Sequence, residues 1–125
     1  MTIEAILLDD RRHAVVVLSG RPAEGCGTDL VTSLQVCSRS HTIVDLRQVS
    51  GFGPDLVKAL LAALGRALDR GRTVRLVVRD HRQHQAAKAV GVGTMMPVHL
   101  SIAEAMDAVD AAITADRAAV APRRR

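Results

Sequence analysis

Residues 43–64 read IVDLRQVSGFGPDLVKALLAAL, and this stretch decides the fold. It begins with a short apolar run that is typical of a buried strand, and the run ends at Asp45. A glycine-containing turn follows, and Pro54 suits the first position of a helix because its missing N–H group would have no partner there. Leucines then recur at every fourth position, which predicts a broad core-facing stripe on the helix (Leu56, Leu60, Leu64 and Leu68). The stretch therefore predicts a buried strand, a loop at its carboxyl end and a long helix.

Before this stretch, the sequence predicts two strands and a helix. Residues 3–7 alternate in character, and HAVVVLSG at 13–20 is continuous and β-branched, so the two segments indicate a hairpin. Thr28 is suited to cap a helix whose apolar side chains fall on one side. The strand TIVD at 42–45 then leads into the loop.

After the long helix, strands and helices alternate. TVRLVV at 73–78 predicts a strand, and HRQHQAAKAVG at 81–91 predicts a short helix. A last strand is predicted at 96–99, and a final helix at 101–115 opens with the capping-box pattern of residues 101–104. The full order, β-β-α-β-α-β-α-β-α, predicts an α/β fold with one small mixed sheet, parallel after the hairpin and covered mainly by helices.

Length, composition and charge narrow the function classes. The 125 residues suit one domain, predicted at 1–115, followed by a flexible Arg-rich tail at 116–125. Arg123, Arg124 and Arg125 supply three of the four net positive charges, and Phe52 is the only aromatic residue, which argues against a nucleic-acid partner. No apolar run approaches the roughly 20 residues that span a membrane, and the N-terminus lacks the pattern of a signal peptide. We expect a cytoplasmic protein.

Residue types that often carry chemistry are sparse. Cys26 and Cys37 either form a redox pair or are two small thiols, and a disulfide is the minority case in the cytosol. His81 and His84 lie three residues apart on a predicted helix, without a third ligand placed to complete a metal site. No nucleophile, base and acid fall into a recognisable pattern. We therefore expect no metal and no cofactor, and, together with the family resemblance described below, no enzyme activity and no catalytic residue.

Three segments together resemble the STAS domain, the fold of bacterial anti-sigma factor antagonists. These are VDLRQVSGFGPDLVKALLAAL, the strand TVRLVV with HRQHQAAKAVGV, and MMPVHLSIAEAMDAV. In that family a strand ends in Asp-Leu, a short loop carries an Asp-Ser-Ser-Gly motif, and a leucine- and alanine-rich helix follows. The resemblance covers residues 3–114 and is strongest over 42–110.

The resemblance implies a function by protein binding. Its members bind an anti-sigma factor, usually also a serine kinase of the histidine-kinase-like ATPase type, and so free a sigma factor that directs transcription. Phosphorylation of the second serine of the motif separates the complex, since it adds up to two negative charges at a helix N-terminus. The implied partner-binding residues are the loop and the exposed side of the helix that follows: Ser50, Gly51, Phe52, Gly53, Pro54, Asp55, Lys58, Ala59 and Arg66. A homodimer is one oligomeric state that the sequence leaves open.

This sequence departs from the family at the phosphorylated position. Aligned without gaps, the Asp-Ser-Ser-Gly motif falls on residues 53–56, and Asp55 takes the place of the phosphorylated serine. The fallback phosphosite is Ser50, but a gap that moved it there would take Leu56 and Leu60 off the core face. Asp55 either imitates the phosphorylated state or only stabilises the first turn of the helix. Phe52 is either buried or an exposed anchor for a partner.

Two other functions stay open for this fold. STAS domains also serve as permanent subunits, beside the ATPase of lipid transporters or in stress-sensing assemblies, and such an interface needs no phosphorylated residue. A third alternative is a sensor that binds a small ligand at the ends of the strands, a common pocket position in open α/β sheets.

Overall fold

The computed structural model of the protein describes residues 2–7, 13–21, 31–34 and 41–120. Its strands are β1 (Thr2–Leu7), β2 (His13–Gly20), β3 (His41–Val49), β4 (Val74–Val77) and β5 (Val98–His99). Its helices are α1, described at 31–34, then α2 (Pro54–Asp69), α3 (His81–Ala89), α4 (Val92–Met95) and α5 (Ile102–Val120). Thr28 and both cysteines, Cys26 and Cys37, lie outside the described residues. None of the described helices combines the length and apolar composition of a membrane-spanning segment.

The five strands form one mixed sheet in sequential order. β1 pairs with β2 antiparallel, and β2, β3, β4 and β5 run parallel to one another. This confirms the predicted α/β fold and its element order, with α4 as an additional short helix between α3 and β5. Because each parallel strand neighbours the next, right-handed crossovers carry the intervening helices to one face of the sheet. α5 follows the last strand and covers the other face.

Alternating side chains of the strands divide between two apolar clusters. The main core lies on the face of α1–α4, where Val16 and Val44 pack with residues such as Leu60 of α2 and Val92 of α4. The α5 cluster lies on the opposite face and is smaller; its buried members are Val15, Ile43, Val77 and Ala105. Neighbouring strand residues point to opposite faces, so the strand period of two assigns them to different clusters.

β3 is longer than the sequence predicts. It continues past Asp45 to Val49, so the acid lies inside the strand and not at its end. Its pairing with β2 shifts register there. Val17 and Ser19 of β2 have one residue between them, whereas their partners in β3, Asp45 and Gln48, have two. The additional residue is a β-bulge at Leu46 and Arg47. The predicted strand end was wrong because β2 continues to pair with β3 as far as Val49, while β4, in the part of the chain that the structure describes, pairs with residues 42–45.

The buried face of α2 differs from the predicted leucine stripe. Leu56 and Leu60 are fully buried, but Leu68 is 62% exposed. Steps of four residues rotate about 40° further around a helix than one full turn, so three steps carry Leu68 about 120° away from Leu56. Alanines occupy the positions that stay on the core side, including Ala63 and Ala67.

Local signals at helix ends behave as the sequence predicts. Gly71 follows α2 with φ +68°, and Arg72 N–H donates to the Ala67 carbonyl at 2.7 Å, which closes the helix in a Schellman motif. Ser101 Oγ accepts from Glu104 N–H at 3.1 Å, as in a capping box. α5 continues to Val120, five residues beyond the predicted helix end, and the rest of the predicted tail lies outside the described residues.

Candidate functional site

The predicted partner-binding loop joins the end of β3 to α2. Ser50 and Gly51 are exposed, and Gly51 has φ +104°, a conformation that favours glycine. Gly53 caps α2 without a side chain, and Pro54 occupies the first helical position, as predicted. The loop therefore presents small side chains and backbone at the carboxyl ends of the parallel strands.

Phe52 fixes the middle of this loop. Its side chain is half-buried and packs against the main core. Of the two predicted alternatives, core packing therefore describes Phe52 better than a fully exposed anchor. The buried part of the ring limits how far the flanking glycines can move, since the loop would have to expose apolar surface to shift.

Asp55 lies half-buried in the first turn of α2. The cap residue Gly53 offers no side-chain acceptor to the free N–H groups there. A carboxylate at this position is stabilised by the positive end of the helix dipole. A phosphate mimic and a helix-stabilising residue both require this location, so the placement is compatible with both interpretations of Asp55.

The exposed side of α2 differs from the prediction at one residue. Lys58 is exposed and Arg66 is half-buried, but Ala59 is only 1% exposed. The prediction that Ala59 contributes to the exposed surface is wrong, because it lies on the core side of the helix beside Leu56. Ala59 instead belongs to a shallow groove between α1 and α2, lined by Val31, Leu34, Ala59, Ala62, Ala63 and Arg66.

The base of the loop is held from both sides. On one side, Ser50 N–H donates to the Gly20 carbonyl at the end of β2, at 3.1 Å. On the other side, Gln83 of α3 donates from Nε2 to the carbonyls of Leu46 and Val49. Gln83 is 4% exposed, so these bonds lie out of solvent. The residue just before the loop, Val49, is therefore fixed by a side chain from 34 positions further along the sequence.

Arg79 and Asp80 complete this contact at the start of α3. Arg79 Nη1 donates to the Arg47 carbonyl at 2.9 Å, and Arg79 N–H donates to Gln83 Oε1 at 2.7 Å. Asp80 caps α3, accepting from Gln83 N–H at 2.9 Å, and this hydrogen bond is the main reason that the pKa of Asp80 is lowered. The sequence analysis missed these residues. The Asp-x-x-Gln spacing signals a helix start, but it does not tell which distant carbonyls the glutamine reaches.

The carboxylate of Asp45 is buried in β3 and forms an ion pair with Arg47. It is 5% exposed and accepts from Arg47 at the backbone N–H, at Nε and at Nη2, with distances of 3.0, 3.0 and 2.9 Å. The same hydrogen bonds raise the pKa of Arg47. This pair lies on the α5 face beside the bulge. It satisfies a buried carboxylate that would otherwise be costly in the strand.

The histidines of α3 show no arrangement of metal ligands. The rings of His81 and His84 meet edge to face with centroids 6.4 Å apart, and His81 Nε2 lies 3.1 Å from Gln85 Nε2. Across the described ranges, no three histidine, cysteine, aspartate or glutamate side chains come together in a group that could hold a metal ion.

Comparison with known proteins assigns the fold. No family model matches the sequence, and no curated protein matches it. Among solved structures, an anti-sigma factor antagonist from Mycobacterium paratuberculosis matches 87% of this chain and 95% of its own, with 19% identity and a TM-score of 0.71. The anti-sigma factor antagonist SpoIIAA in its unphosphorylated form matches 88% and 97%, with 14% identity and a TM-score of 0.73.

A STAS domain protein described as an anti-sigma factor antagonist, from Planctomyces limnophilus, is also similar. It matches 86% of this chain and 97% of its own, with 14% identity and a TM-score of 0.66. The matches extend over nearly the whole of each relative, so they concern the complete fold. The chain has the STAS fold, which confirms the resemblance seen in the sequence.

Proposed function

We propose that this protein is an anti-sigma factor antagonist that acts in the bacterial cytoplasm and regulates transcription by protein binding. Its partner is an anti-sigma factor of the histidine-kinase-like ATPase type, and binding releases a sigma factor. The docking surface is the loop Ser50–Asp55 with the exposed side of α2 at Lys58 and Arg66. The observation that carries the proposal is this pre-formed loop, held at a strand end and a helix start, in a chain whose fold matches anti-sigma factor antagonists over nearly its full length.

The proposal includes the loss of control by phosphorylation at the usual position. Asp55 provides a carboxylate where a kinase would need a hydroxyl group, and Ser50 stands five residues earlier in the exposed part of the loop. A carboxylate carries one charge and two acceptor oxygens, whereas a phosphate carries nearly two charges and three oxygens. If Asp55 acts as a mimic, it therefore imitates a phosphoserine only partly, and in either role it leaves the protein with a fixed affinity for its partner.

Binding to purified partners tests the proposal. Each ATPase-type anti-sigma factor of the source organism is titrated with the protein by calorimetry, and release of the bound sigma factor is followed by size exclusion. Lys58→Glu, on the docking surface, weakens binding about tenfold or more. Lys88→Glu is the matched control, because it makes the same charge change at an exposed position of α3. If no anti-sigma factor of this type binds, the proposed function is wrong.

The kinase assay tests the second part of the proposal. With labelled ATP, the wild-type protein remains unlabelled and Asp55→Ser becomes labelled in the loop. Asp55→Ser also binds more tightly than the wild type if Asp55 acts as a partial phosphate mimic. Equal affinity of the two proteins would show that Asp55 serves only the helix. Label on Ser50 of the wild type would overturn the predicted absence of control.

A permanent structural subunit is the second candidate, and Asp55 is the observation that favours it. A constitutive interface, such as one with a transporter ATPase or within a stress-sensing assembly, needs no hydroxyl group at that position. Co-purification from the source organism at native levels, followed by identification of the bound protein, separates the two functions. An ATP-binding anti-sigma factor supports the first candidate, and a transporter ATPase supports the second.

A further inference from the structure

Among the described residues, no strand lies beside the end of β3 on the side of β4. β4 pairs with β3 only over Thr42–Asp45, and the bulge directly follows. Three β3 carbonyls beyond this point, those of Leu46, Arg47 and Val49, accept hydrogen bonds from side chains at the start of α3. The side chains of Arg79, just before α3, and of Gln83 in α3 thus supply donors where a longer β4 would have lain.

The side-chain amide of Gln83 takes the place of one backbone hydrogen bond between β3 and β4. Leu76 and Val78 N–H groups donate to β5, to the carbonyls of Pro97 and His99, so Arg79 N–H points towards β3 by the alternation of a strand. In an unbroken ladder Arg79 N–H would reach the Leu46 carbonyl directly. The Gln83 amide lies between them instead, because Oε1 accepts from Arg79 N–H and Nε2 donates to Leu46.

This inserted amide separates the ends of the two strands. A link through a side-chain amide is longer than a direct backbone hydrogen bond, and the direct pairing of β3 with β4 accordingly ends at Asp45. The loop that follows contains Gly51 and Gly53, whose backbones accept many conformations. The direction in which the chain leaves β3 therefore depends on contacts at the base of the loop, and Gln83 and Arg79 make those on the α3 side.

We propose that Gln83 and Arg79 are positioning residues, which hold the loop Ser50–Asp55 in the geometry that binds the partner. The inference rests on the proposed function, since it concerns the same docking loop. The partner need not touch Gln83, which is buried at 4% exposure. Arg79 is half-exposed, with 51% of its side chain accessible, and it ties the bulge to α3 through the Arg47 carbonyl.

Two substitutions with matched controls test the inference. Gln83→Met keeps the size of the side chain and removes its hydrogen bonds, while Gln85→Met makes the same change at an exposed position of α3. Arg79→Ala removes the bond to the bulge, while Arg82→Ala removes the same charge from a neighbouring exposed position. Urea denaturation establishes that each variant is folded at the temperature of the assays. If Gln83→Met does not fold, Arg79→Ala decides the test, because its side chain is largely in solvent.

The first readout is affinity for the purified anti-sigma factor. Gln83→Met and Arg79→Ala each weaken binding about tenfold, the scale that the loss of one or two hydrogen bonds would give. Gln85→Met and Arg82→Ala bind like the wild type. If Gln83→Met or Arg79→Ala is folded and binds as tightly as the wild type, the positioning role is wrong, even though the proposed function holds.

The second readout is hydrogen exchange of the loop, which needs no partner. The amide of Ser50, bonded to the Gly20 carbonyl, exchanges faster in Gln83→Met by more than the change in global stability predicts. The amide of Leu60 in α2 reports the global change. If the wild type binds no anti-sigma factor, the proposed function fails, and this readout still decides whether Gln83 positions the loop. Equal changes at Ser50 and Leu60 would reduce Gln83 to a general structural role and overturn the inference.

Discussion

The two faces of the sheet hold their helices by different means. The main core, on the face of α1–α4, is apolar, with Leu60 and Val16 among its fully buried members. On the opposite face, the small α5 cluster is accompanied by polar contacts between the sheet and α5. There, His13 Nε2 lies 3.1 Å from Asp110 Oδ1 of α5. The contrast indicates that the apolar first face provides most of the stability, while polar contacts contribute to how α5 is held on the second face.

Further polar contacts on the α5 face involve His99 and His41. Arg75 Nη1 lies 3.1 Å from His99 Nε2, and His99 Nδ1 lies 3.4 Å from Glu104 of α5. His41 Nδ1 accepts from the backbone N–H of Thr73 at 3.2 Å, which requires that this ring nitrogen carries no proton. Burial is the main reason that the pKa values of His41 and Arg75 are lowered. These groups lie where α5 meets the sheet, so their charge affects how the helix is held.

The largest expected effect tests the main core. Leu60→Ala lowers the free energy of unfolding by about 2–5 kcal/mol, because it removes a fully buried side chain and leaves a cavity. Leu68→Ala is the matched control two turns along the same predicted stripe. It changes stability by less than about 0.5 kcal/mol because Leu68 is 62% exposed. Urea denaturation measures both, and equal effects would contradict the buried face assigned to α2.

A second pair of substitutions compares the faces directly. Val16 and Val15 are neighbours on β2, belong to opposite clusters and are both buried. Val16→Ala lowers the free energy of unfolding by about 2 kcal/mol. It removes two buried methyl-sized groups and leaves a small cavity in a rigid core. Val15→Ala costs about 1 kcal/mol, because α5 is held by few apolar contacts and can shift to fill the space. A larger cost at Val15 than at Val16 would reverse the comparison.

The third prediction concerns pH near neutrality. The pKa of His41 is lowered below its ordinary value of 6.5, first by burial and then by Arg72, His13 and Arg75. The unfolded chain therefore takes up the proton first as the pH falls. The stability that His41 contributes is complete above pH 6.5 and decreases as the pH falls through its lower folded pKa.

Denaturation at a series of pH values from 8 to 5 measures this effect, with His41→Gln as the comparison. Glutamine can still accept from Thr73 N–H but does not titrate in this range. The wild type loses more stability than His41→Gln as the pH falls. Parallel curves for the two proteins would show that His41 is not responsible for the acid sensitivity.

The smallest expected effect on stability concerns α3, on the face of the main core, and occurs at lower pH. Asp80, which caps α3, has a pKa below its ordinary value of 3.8, mainly because it accepts from Gln83 N–H. Its contribution is complete above pH 3.8 and decreases as the pH falls through the lower folded pKa. Asp80→Asn keeps an acceptor at the cap and removes the titration. Hydrogen exchange of the α3 amides at pH 5 and pH 3 measures this loss of stability. If the α3 amides of the wild type are no more sensitive to pH than those of Asp80→Asn, the role assigned to Asp80 is wrong.

The sequence predicted the order of elements and the position of the candidate loop because both depend on local patterns. Pro54 at the start of α2, Gly71 at its end and the Ser101–Glu104 capping box each act within a few residues, and the structure has all three. The family resemblance placed Asp55 at the phosphorylated position, and the structure locates it in the first turn of α2. Its role as a mimic or as a helix-stabilising residue stays a prediction.

Three predictions failed for the same physical reason. The end of β3 depends on which strands lie beside it, and the buried face of α2 depends on where the sheet lies. Ala59 was predicted to be exposed and is buried, while Leu68 was predicted to be buried and is exposed. An every-fourth leucine pattern suggests a stripe, but over several turns a straight helix turns that stripe away from the core.

The sequence by itself determined which segments become strands and helices, and it placed a carboxylate, that of Asp55, in the first turn of the helix after the loop. These are properties of spacing and residue type, which act over a few positions along the chain. The tertiary structure alone decided how the loop is held. Gln83 reaches the Leu46 carbonyl across 37 positions, and that contact exists only because β4 ends where the bulge of β3 begins. A buried amide bonds whatever carbonyl the fold brings to it, and no local pattern records which one that is.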